Sequence, residues 1–487
     1  MRILMVTPEA NPFARSGGLA EVIASLAAAL SRLGHKVYIV MPLYRQARES
    51  GHPLTFTNLT LSIPLSWKAL PAEIYQADVD DLTYYFIGQD ALFNREHLYG
   101  TEYGDYEDNA ERFIFFSRAV VELMKAMDLG LDICHCQEWQ TGLVPVYLRT
   151  LYRDWPPFQR LPVLYTIHNV GYQGVFSSYD LPLTGLGWEL FSPKALEFYG
   201  KINFMKGGLI FADLLSTVST KYREEILTPE YGFGLEGVLQ ERAQELFGIV
   251  EGVDYQRWNP AIDPFIPASY DHDNLAGKKV CKEALLTFFN LDLPGERPLL
   301  GMTTRLYERK GIDLVENILD DLMRLNVGFV LQGTGEERHH FLLQEIRQRH
   351  PGRIGLFIGY KEELAHQIIA GSDIFLMPSR YEPCGLDQLY CLRYGTIPVV
   401  RATGGLDETI QAYDPETGQG NGFKFNGYTP AEFLRAIQEA LALYENREAW
   451  IKLMQNNMKL DFSWDKVAPK YVELYRLAQE KRRQVVG

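Results

Sequence analysis

The chain has 487 residues, 46% of them hydrophobic and 23% charged, which is ordinary for a soluble globular protein. This length favours two domains, and a formal net charge of -14 excludes partners such as nucleic acid or anionic membranes that bind through overall charge. The cysteines number five, an odd count at low density, so we expect buried free thiols and no disulfide framework. Neither a signal peptide nor a membrane span is predicted, and we therefore expect a cytoplasmic protein.

The first half of the chain alternates short β-branched runs with amphipathic stretches. Residues 1–8 predict a strand, residues 19–33 a helix that stops at Gly34, and residues 35–42 a second strand. Further strands are predicted at 131–136, 162–169, 214–219 and 247–253. This alternation is typical of a parallel sheet covered by helices on both faces.

The same pattern starts again in the second half. Strands are predicted at 298–305, 327–333, 354–360, 374–380 and 396–402, with helices at 361–371 and 457–484. The segment 253–275 between the halves is rich in Pro, Asp and aromatic residues and has no clean period. We therefore predict two doubly wound α/β domains, 1–253 and 254–460. Because ligands bind outside the carboxyl ends of such strands, we expect one cleft between two facing sheets.

Two candidate phosphate sites follow predicted strands. Residues 15–21, RSGGLAE, place paired glycines before a helix, where backbone N–H groups and the helix terminus favour an anion. Residues 303–311, TTRLYERKG, place Arg305, Arg309 and Lys310 after a strand, where such cations suit a pyrophosphate leaving group and can do the work of a divalent metal. A tight turn and a solvated basic turn remain the structural alternatives.

Two further stretches carry candidate sugar ligands. In residues 379–388, SRYEPCGLDQ, Glu382 precedes a Pro-Cys-Gly turn and a helix start, a placement that suits contact with sugar hydroxyls and phosphate. In residues 166–174, TIHNVGYQG, His168 and Asn169 lie at a strand end. A lone histidine is more often structural, but the residues that follow it favour a ligand-binding role.

Together these stretches resemble one family. SRYEPCGLDQLYCLRYGTIPVVRATGGLDET, TIHNVGYQG, RLYERKGIDL and SGGLAEV are similar to the motifs of bacterial glycogen synthases and plant starch synthases, in the same order and spacing. DFSWDKVAPKYVELY at 461–475 resembles the family's carboxyl-terminal signature, so the resemblance covers roughly residues 1–480. It implies the GT-B fold, two Rossmann-like domains with an interdomain active site, and a terminal helix, 461–487, that packs back on the first domain.

The resemblance also implies roles for individual residues on the donor. Gly17 and Gly18 approach the donor phosphates, Arg305 and Lys310 neutralise the leaving pyrophosphate, and Tyr360 stacks on the base.

On the sugar side, the resemblance places His168 near O6 of the transferred glucose, where its carbonyl helps to stabilise the anomeric centre, and Asn169 beside it. Glu382 holds the region of O3 and O4. The neighbouring donor-binding positions are Cys384, Gly385 and Leu386.

The activity implied is transfer of glucose from ADP-glucose to the non-reducing end of an α-1,4-glucan with retention, and without a metal or another cofactor. Retention through a covalent intermediate needs a carboxylate behind the anomeric carbon. The family lacks an evident one, so same-face attack is preferred, in which the leaving phosphate accepts the proton of the acceptor hydroxyl.

Several pocket positions depart from the family pattern. The family's His-x-His-Asp-Trp is His-Cys-Gln-Glu-Trp at 135–139, which makes Glu138 the counterpart of an Asp near the acceptor hydroxyl. The other departures are Arg15 for Lys, Glu21 for Asp, Glu251 for Asn and Asp387 for Thr. Three hypotheses follow. The first is a rearranged but active site, the second is an altered donor, such as UDP-glucose, or an altered acceptor, and the third is a catalytically silent glucan-binding protein.

Overall fold

The computed structural model describes residues 1–293 and 296–486, which form two compact units. The amino-terminal unit comprises Met1–Val218, Arg223–Gly252 and the segment from Trp464 onward. The carboxyl-terminal unit comprises Ser219–Tyr222 and Val253–Ser463. Within the described ranges, no helix has both the length and the apolar composition that crossing a membrane requires.

The amino-terminal unit contains fourteen strands within the described residues. In chain order they are β1 (Arg2–Val6), β2 (Lys36–Pro42), β3 (Thr55–Leu65), β4 (Lys68–Val79), β5 (Leu82–Gly88), β6 (Gly100–Thr101), β7 (Gly104–Asp105), β8 (Ile133–Gln137), β9 (Val163–Ile167), β10 (Val175–Ser177), β11 (Glu197–Phe198), β12 (Lys201–Asn203), β13 (Leu214–Thr217) and β14 (Leu246–Gly248). Its first ten helices are α1 (Leu19–Arg32), α2 (Arg45–Arg48), α3 (Asp90–Phe93), α4 (Asn109–Met127), α5 (Leu143–Arg149), α6 (Pro156–Arg160), α7 (Leu181–Thr184), α8 (Phe204–Phe211), α9 (Thr220–Glu225), whose first residues belong to the other unit, and α10 (Glu236–Glu241).

Nine strands form the main sheet, in the order β14-β13-β9-β8-β1-β2-β5-β4-β3. The seven strands from β14 to β5 are parallel, as the sequence predicts, whereas β4 and β3 pair antiparallel. Two-residue turns, 66–67 and 80–81, join β3 to β4 and β4 to β5. Connections this short permit only antiparallel pairing. The predicted strands of this sheet are parallel as expected, and the antiparallel edge lies at residues 55–79, where no strand was predicted.

Strand β1 is the topological switch point of this sheet. It pairs with β2 on one side and with β8 on the other. The strand order therefore runs outward from β1 toward both edges of the sheet. Strands β8 and β9 are buried along their whole length, as expected for parallel strands covered on both faces. The carboxyl ends of β1, β8 and β9 therefore share one edge of the sheet, where ligands bind in folds of this kind.

The carboxyl-terminal unit has one six-stranded sheet. Its strands are β15 (Leu299–Leu306), β16 (Gly328–Gly335), β17 (Ile354–Ile358), β18 (Ile374–Met377), β19 (Ile397–Arg401) and β20 (Phe423–Phe425). Its helices are α11 (Ala276–Phe288), α12 (Ile312–Leu322), α13 (Glu337–Arg349), α14 (Glu362–Gly371), α15 (Asp387–Arg393), α16 (Gly404–Thr409), α17 (Pro430–Glu445) and α18 (Arg447–Met458). The order is β17-β16-β15-β18-β19-β20, every pair is parallel, and the switch point lies between β15 and β18.

Two hydrophobic clusters cover the two faces of this second sheet. Phe329 and Leu331 of β16 belong to one cluster, and Val330 between them belongs to the other. This follows from the alternation of side chains along a strand. All five cysteines of the chain lie within the described residues and are buried free thiols, as predicted.

The last helix, α19 (Trp464–Val486), belongs to the amino-terminal unit. It buries Tyr471 and Tyr475 there, and the Tyr475 hydroxyl lies 2.9 Å from Nδ1 of His135 in β8. The prediction of one helix over 457–484 is wrong at its start, because residue 458 ends α18 and α19 begins at Trp464. Between them, Ser463 N donates to the Asp461 side chain, a local turn that competes with helix formation.

Short 3-10 helices complete the described secondary structure. They span Trp139–Thr141, Ser178–Asp180, Trp188–Leu190, Ala243–Glu245, Glu308–Lys310 and Met323–Leu325.

Candidate active site

Each unit gathers predicted site residues at the carboxyl edge of its own sheet. The amino-terminal half-site is defined here by residues at or after the carboxyl ends of β1, β8, β9 and β14. They are Glu9, residues 15–18, Glu21, Gln137, Glu138, His168, Asn169 and Glu251. The carboxyl-terminal half-site is defined by residues at or after the carboxyl ends of β15, β17, β18 and β19. They are Arg305, Lys310, Tyr360, Glu382, residues 384–387, Gly404 and Gly405.

Glu138 joins two strand ends of the amino-terminal half-site. Its Oε1 accepts hydrogen bonds from the backbone N–H of His168, at 2.6 Å, and of Asn169, at 2.9 Å. Its own backbone has a φ of 62°, a region that non-glycine residues rarely adopt. Burial raises the pKa of the Glu138 carboxyl to about 7, although the His168 charge and the two amide bonds act in the opposite direction.

The ring of His168 has a partner at each nitrogen. Nε2 lies 2.8 Å from Oε1 of Gln137, and Nδ1 lies 3.1 Å from Oε1 of Glu251. Three positions that depart from the family pattern, 137, 138 and 251, therefore all contact His168. The structure brings together four residues predicted from the sequence: Glu138, His168, Asn169 and Glu251. Gln137 is an addition, and its position at the last residue of β8 is the signal that could have found it.

Glu9 organises the glycine loop and was missed by the sequence analysis. Its Oε2 accepts from the backbone N–H of Ser16 at 3.1 Å, from the Ser16 hydroxyl at 2.6 Å and from the Tyr99 hydroxyl at 2.9 Å. Burial, with Glu9 as a further cause, raises the pKa of Tyr99 well above its usual range. A carboxylate three residues after a buried strand was the available signal.

The predicted residues of the loop itself lie around this anchor. The backbone N–H of Arg15 donates to Oε1 of Gln46 at 3.1 Å. A Cβ on Gly17 would meet nothing within 4 Å, so the space beside its backbone is open. Gly18 is the residue before α1, and Glu21 lies in the first turn of that helix.

A second layer of side chains supports the strands beneath the half-site. His135 places Nε2 2.7 Å from the Thr166 hydroxyl, which lies 2.6 Å from the Ser216 hydroxyl. Burial lowers the pKa of His135 to about 3, so its ring is neutral at physiological pH. The contact of His135 with Tyr475 ties this layer to α19.

The carboxyl-terminal half-site is centred on an ion pair. Lys310 Nζ donates to Oε2 of Glu382 at 2.6 Å, and the Ser379 hydroxyl donates to the same oxygen at 3.0 Å. Arg305 is exposed near the end of β15. At Gly311, φ is 77° and a Cβ would lie 2.1 Å from the carbonyl oxygen of Pro378, so this glycine lets the basic turn pack directly on the end of β18.

The backbone of the turn after Glu382 packs closely against two glycines at the start of α16. A Cβ on Gly404 would lie 1.9 Å from the carbonyl oxygen of Glu382, and a Cβ on Gly405 would lie 2.0 Å from that of Cys384. Both glycines are therefore needed for close backbone approach, a role that the sequence analysis did not assign. The predicted residues of this turn are Cys384, which is buried, Gly385, Leu386 and Asp387, the first residue of α15.

Tyr360 follows β17 and is 55% exposed. The preceding Gly359 has a φ of 141°, and Lys361 N donates to Oε1 of Gln332 at 3.0 Å. The aromatic ring is thus presented from a fixed backbone at the carboxyl edge of the sheet.

Known proteins are similar to this chain over nearly its whole length. Residues 2–241 match the family described as starch synthase catalytic domain, and residues 286–456 match glycosyl transferases group 1. Glycogen synthase of Koribacter versatilis is 45% identical over 99% of both chains. Glycogen synthase 2 of Geobacter sulfurreducens is 44% identical over 99% of this chain and 100% of its own. The chain belongs to the glycogen synthase family.

Solved structures agree with this assignment. The catalytic domain of starch synthase IV from Arabidopsis thaliana, bound to ADP and acarbose, has a TM-score of 0.90 at 33% identity and covers 98% of this chain and 99% of its own. Sucrose-phosphate synthase from Thermosynechococcus elongatus, with a TM-score of 0.62 at 16% identity over 98% of both chains, shows the fold alone. The predicted GT-B fold and the predicted family are confirmed.

Proposed function

We propose that this member of the glycogen synthase family elongates an α-1,4-glucan by transferring glucose from ADP-glucose with retention of configuration. The observation that carries the proposal is the Lys310–Glu382 pair at the switch point of a parallel sheet, together with the exposed Arg305 near the end of β15. Full-length similarity to glycogen synthases, and to a starch synthase bound to ADP and acarbose, supports the substrate assignment.

In this proposal the carboxyl-terminal half-site handles the donor. Arg305 and Lys310 neutralise the charge that develops on the diphosphate as the glycosidic bond breaks, which is the work of a metal ion in other transferases. We therefore propose that no metal is required. Glu382 accepts from glucose hydroxyls, Tyr360 stacks on the nucleobase, and the backbone of residues 384–387 approaches the phosphates.

The amino-terminal half-site handles the glucose and the acceptor hydroxyl. Arg15, Gly17, Gly18 and Glu21 lie in the loop and helix that Glu9 anchors, where we assign them to the donor. His168, Asn169 and Glu251 are assigned to the transferred glucose.

We assign Glu138 to the acceptor hydroxyl. In its ionised form it orients the attacking hydroxyl, whose proton passes to an oxygen of the departing diphosphate on the same face of the sugar. Both bonds change at the anomeric carbon in this step, and configuration is retained without a covalent intermediate. A nucleotide-sugar donor and the absence of a disulfide framework support a cytoplasmic location.

One observation favours a second candidate, a related glucosyltransferase with an altered donor or acceptor. Glu251 adds a buried carboxylate beside His168, where the family pattern has an amide. Such a charge changes which hydroxyls the pocket accepts. A catalytically silent glucan-binding role remains the third outcome of the test below.

A donor panel tests the proposal. Purified protein is incubated with glycogen or a maltooligosaccharide and with ADP-glucose or UDP-glucose, and nucleotide release and chain extension are measured. We expect turnover with ADP-glucose and its loss in Lys310→Ala and Glu382→Ala. Turnover with UDP-glucose alone supports the second candidate, and glucan binding without nucleotide release supports the third.

A further inference from the structure

The amino-terminal half-site contains an interaction that neither the fold nor the proposed chemistry requires. The His168 ring contacts side chains from two other strand ends: Gln137 closes β8, and Glu251 lies three residues after β14. Gln137 is 1% exposed and Glu251 is 6% exposed, so neither contact competes freely with water. The three side chains form a line, with the imidazole in the middle.

Both nitrogens of the His168 ring are engaged by these two side chains. A neutral imidazole donates from one nitrogen and accepts at the other, so here Nδ1–H donates to the Glu251 carboxylate and Nε2 accepts from the side-chain amide of Gln137, whose oxygen and nitrogen exchange places by a half-turn. Oε2 of Glu251, in contrast, makes no protein hydrogen bond within the described ranges. A sugar hydroxyl that approaches this line therefore meets the second oxygen of the Glu251 carboxylate rather than a ring N–H.

We propose that Gln137 and Glu251 are a coupled pair of positioning residues that hold the His168 ring by both nitrogens and set its orientation toward the sugar. The proposal rests on the function proposed above for this half-site. The ring transmits the effect of each partner to the other, because losing either bond lets the ring turn and weakens the second bond. Other charged and titratable groups near the ring are Glu138, which binds the His168 backbone N–H, and the neutral His135.

The first test is a double-mutant cycle in the full-length protein. Gln137→Met and Glu251→Met each remove one bond at nearly constant side-chain length. We expect each to lower kcat about tenfold and the double variant to lower it about tenfold to thirtyfold, because effects that pass through one shared ring are not additive. The KM for ADP-glucose, whose glucose this half-site contacts, changes less than about twofold, as expected for lost positioning rather than lost binding. Losses that multiply to about a hundredfold would overturn the proposal.

A conservative variant separates hydrogen bonding from charge. Glu251→Gln keeps an oxygen that can accept from Nδ1, so we expect it to recover most of the kcat lost in Glu251→Met. No recovery would contradict the orienting role. Glu316→Gln serves as the matched control, because Oε1 of Glu316 lies 2.8 Å from Nδ1 of buried His339 in the other unit. This control is expected to leave kcat unchanged.

A measurement on the ring itself does not depend on turnover. Protein labelled with ¹⁵N-histidine gives ring resonances, and those of His168 are identified by their loss in His168→Gln. We expect both Gln137→Met and Glu251→Met to shift the His168 ring resonances, with folding checked by the unchanged His339 signals. If neither substitution moves them, the pair does not act on His168. If they move but ADP-glucose is not turned over, the proposed function fails while the positioning proposal stands.

Discussion

The two half-sites differ in how their charged groups are held. In the carboxyl-terminal half-site, Lys310 is one-quarter exposed beside Glu382, and Arg305 is exposed. In the amino-terminal half-site, Glu9, Glu138 and Glu251 are buried and hydrogen-bonded to protein groups. The first arrangement suits cations that exchange a protein partner for an incoming phosphate. The second suits fixed dipoles that are already oriented before a substrate binds.

Three of the positions that depart from the family pattern, 137, 138 and 251, lie within the buried arrangement. In the proposed function, the cations of the carboxyl-terminal half-site contact the diphosphate directly, so phosphate chemistry sets their identity. The acidic groups of the amino-terminal half-site are bound to other protein groups, so a change at one position alters the contacts of its neighbours. The contacts of Gln137, Glu138 and Glu251 with His168 are an example.

The largest effect is expected from removing the cation of the carboxyl-terminal half-site. Lys310→Ala removes charge where the diphosphate leaves, and we expect kcat to fall about a hundredfold to a thousandfold. Steady-state nucleotide release measures it. Lys68→Ala is the control, since Lys68 forms a similar pair with Glu111, at 2.7 Å, outside both half-sites. Equal activity in Lys310→Ala and Lys68→Ala would contradict the role of Lys310 that distinguishes the carboxyl-terminal half-site from the amino-terminal one.

Glu138 is expected to give a smaller kinetic effect with a distinct pH signature. Because its pKa is raised to about 7, kcat should rise as pH increases through neutrality, and this limb should vanish in Glu138→Gln. We expect kcat above pH 8 to fall about tenfold to a hundredfold in the variant. A limb near pH 7 that persists in Glu138→Gln would assign that ionisation to another group.

The same carboxyl should make stability depend on pH. Its folded pKa lies above its unfolded value, so its stabilising contribution is complete at low pH and is lost as pH rises toward about 7. From pH 5 to pH 8, the free energy of unfolding of Glu138→Gln should gain about 2 kcal/mol relative to the unsubstituted protein. Urea unfolding at the two pH values measures this difference. A constant difference would contradict the burial of an ionisable Glu138.

Tyr360 is expected to affect donor binding more than chemistry. Its exposed ring has little to do with folding, and loss of base stacking costs about 1–2 kcal/mol. Tyr360→Ala should raise the KM for the donor about tenfold with kcat nearly unchanged, and Tyr360→Phe should restore it. A fall in kcat at constant KM would show that Tyr360 acts at the reacting centre and does not stack on the base.

The smallest effect is expected behind the amino-terminal half-site, at α19. Tyr475→Phe leaves Nδ1 of the buried His135 without its partner, which should cost about 1–2 kcal/mol of stability. Thermal unfolding measures the loss, and kcat at 25 °C should change less than about twofold. A large kinetic effect would mean that α19 takes part in the reaction and does not only support the strands.

Much of the fold was predictable from local sequence. Buried β-branched runs identified most of the parallel strands, although β5 and β20 were not predicted. The terminal glycine placed the end of the helix at 361–371 correctly. The antiparallel edge was missed although residues 59–65 of β3 alternate apolar and polar side chains, the pattern of a half-buried strand. The start of α19 was misplaced because the apolar period continues from α18 across a turn that a side chain creates at Asp461.

The candidate site was predictable only where residues act through their own chemistry. Arg305, Lys310, His168 and Glu382 stand out as charged or polar groups at strand ends. Glu9, Gln137, Gly404 and Gly405 act through neighbours that are distant in sequence, such as Tyr99, His168 and Glu382. Their partners are set by strand order and by close backbone approach, neither of which local pattern reveals.

The most direct test of the account is the initial rate of glucan extension from ADP-glucose, measured with and without a chelator, in the unsubstituted protein and in Lys310→Ala. The account predicts metal-independent turnover that Lys310→Ala lowers at least about a hundredfold. Turnover that requires a divalent metal, or that survives in Lys310→Ala, would contradict it.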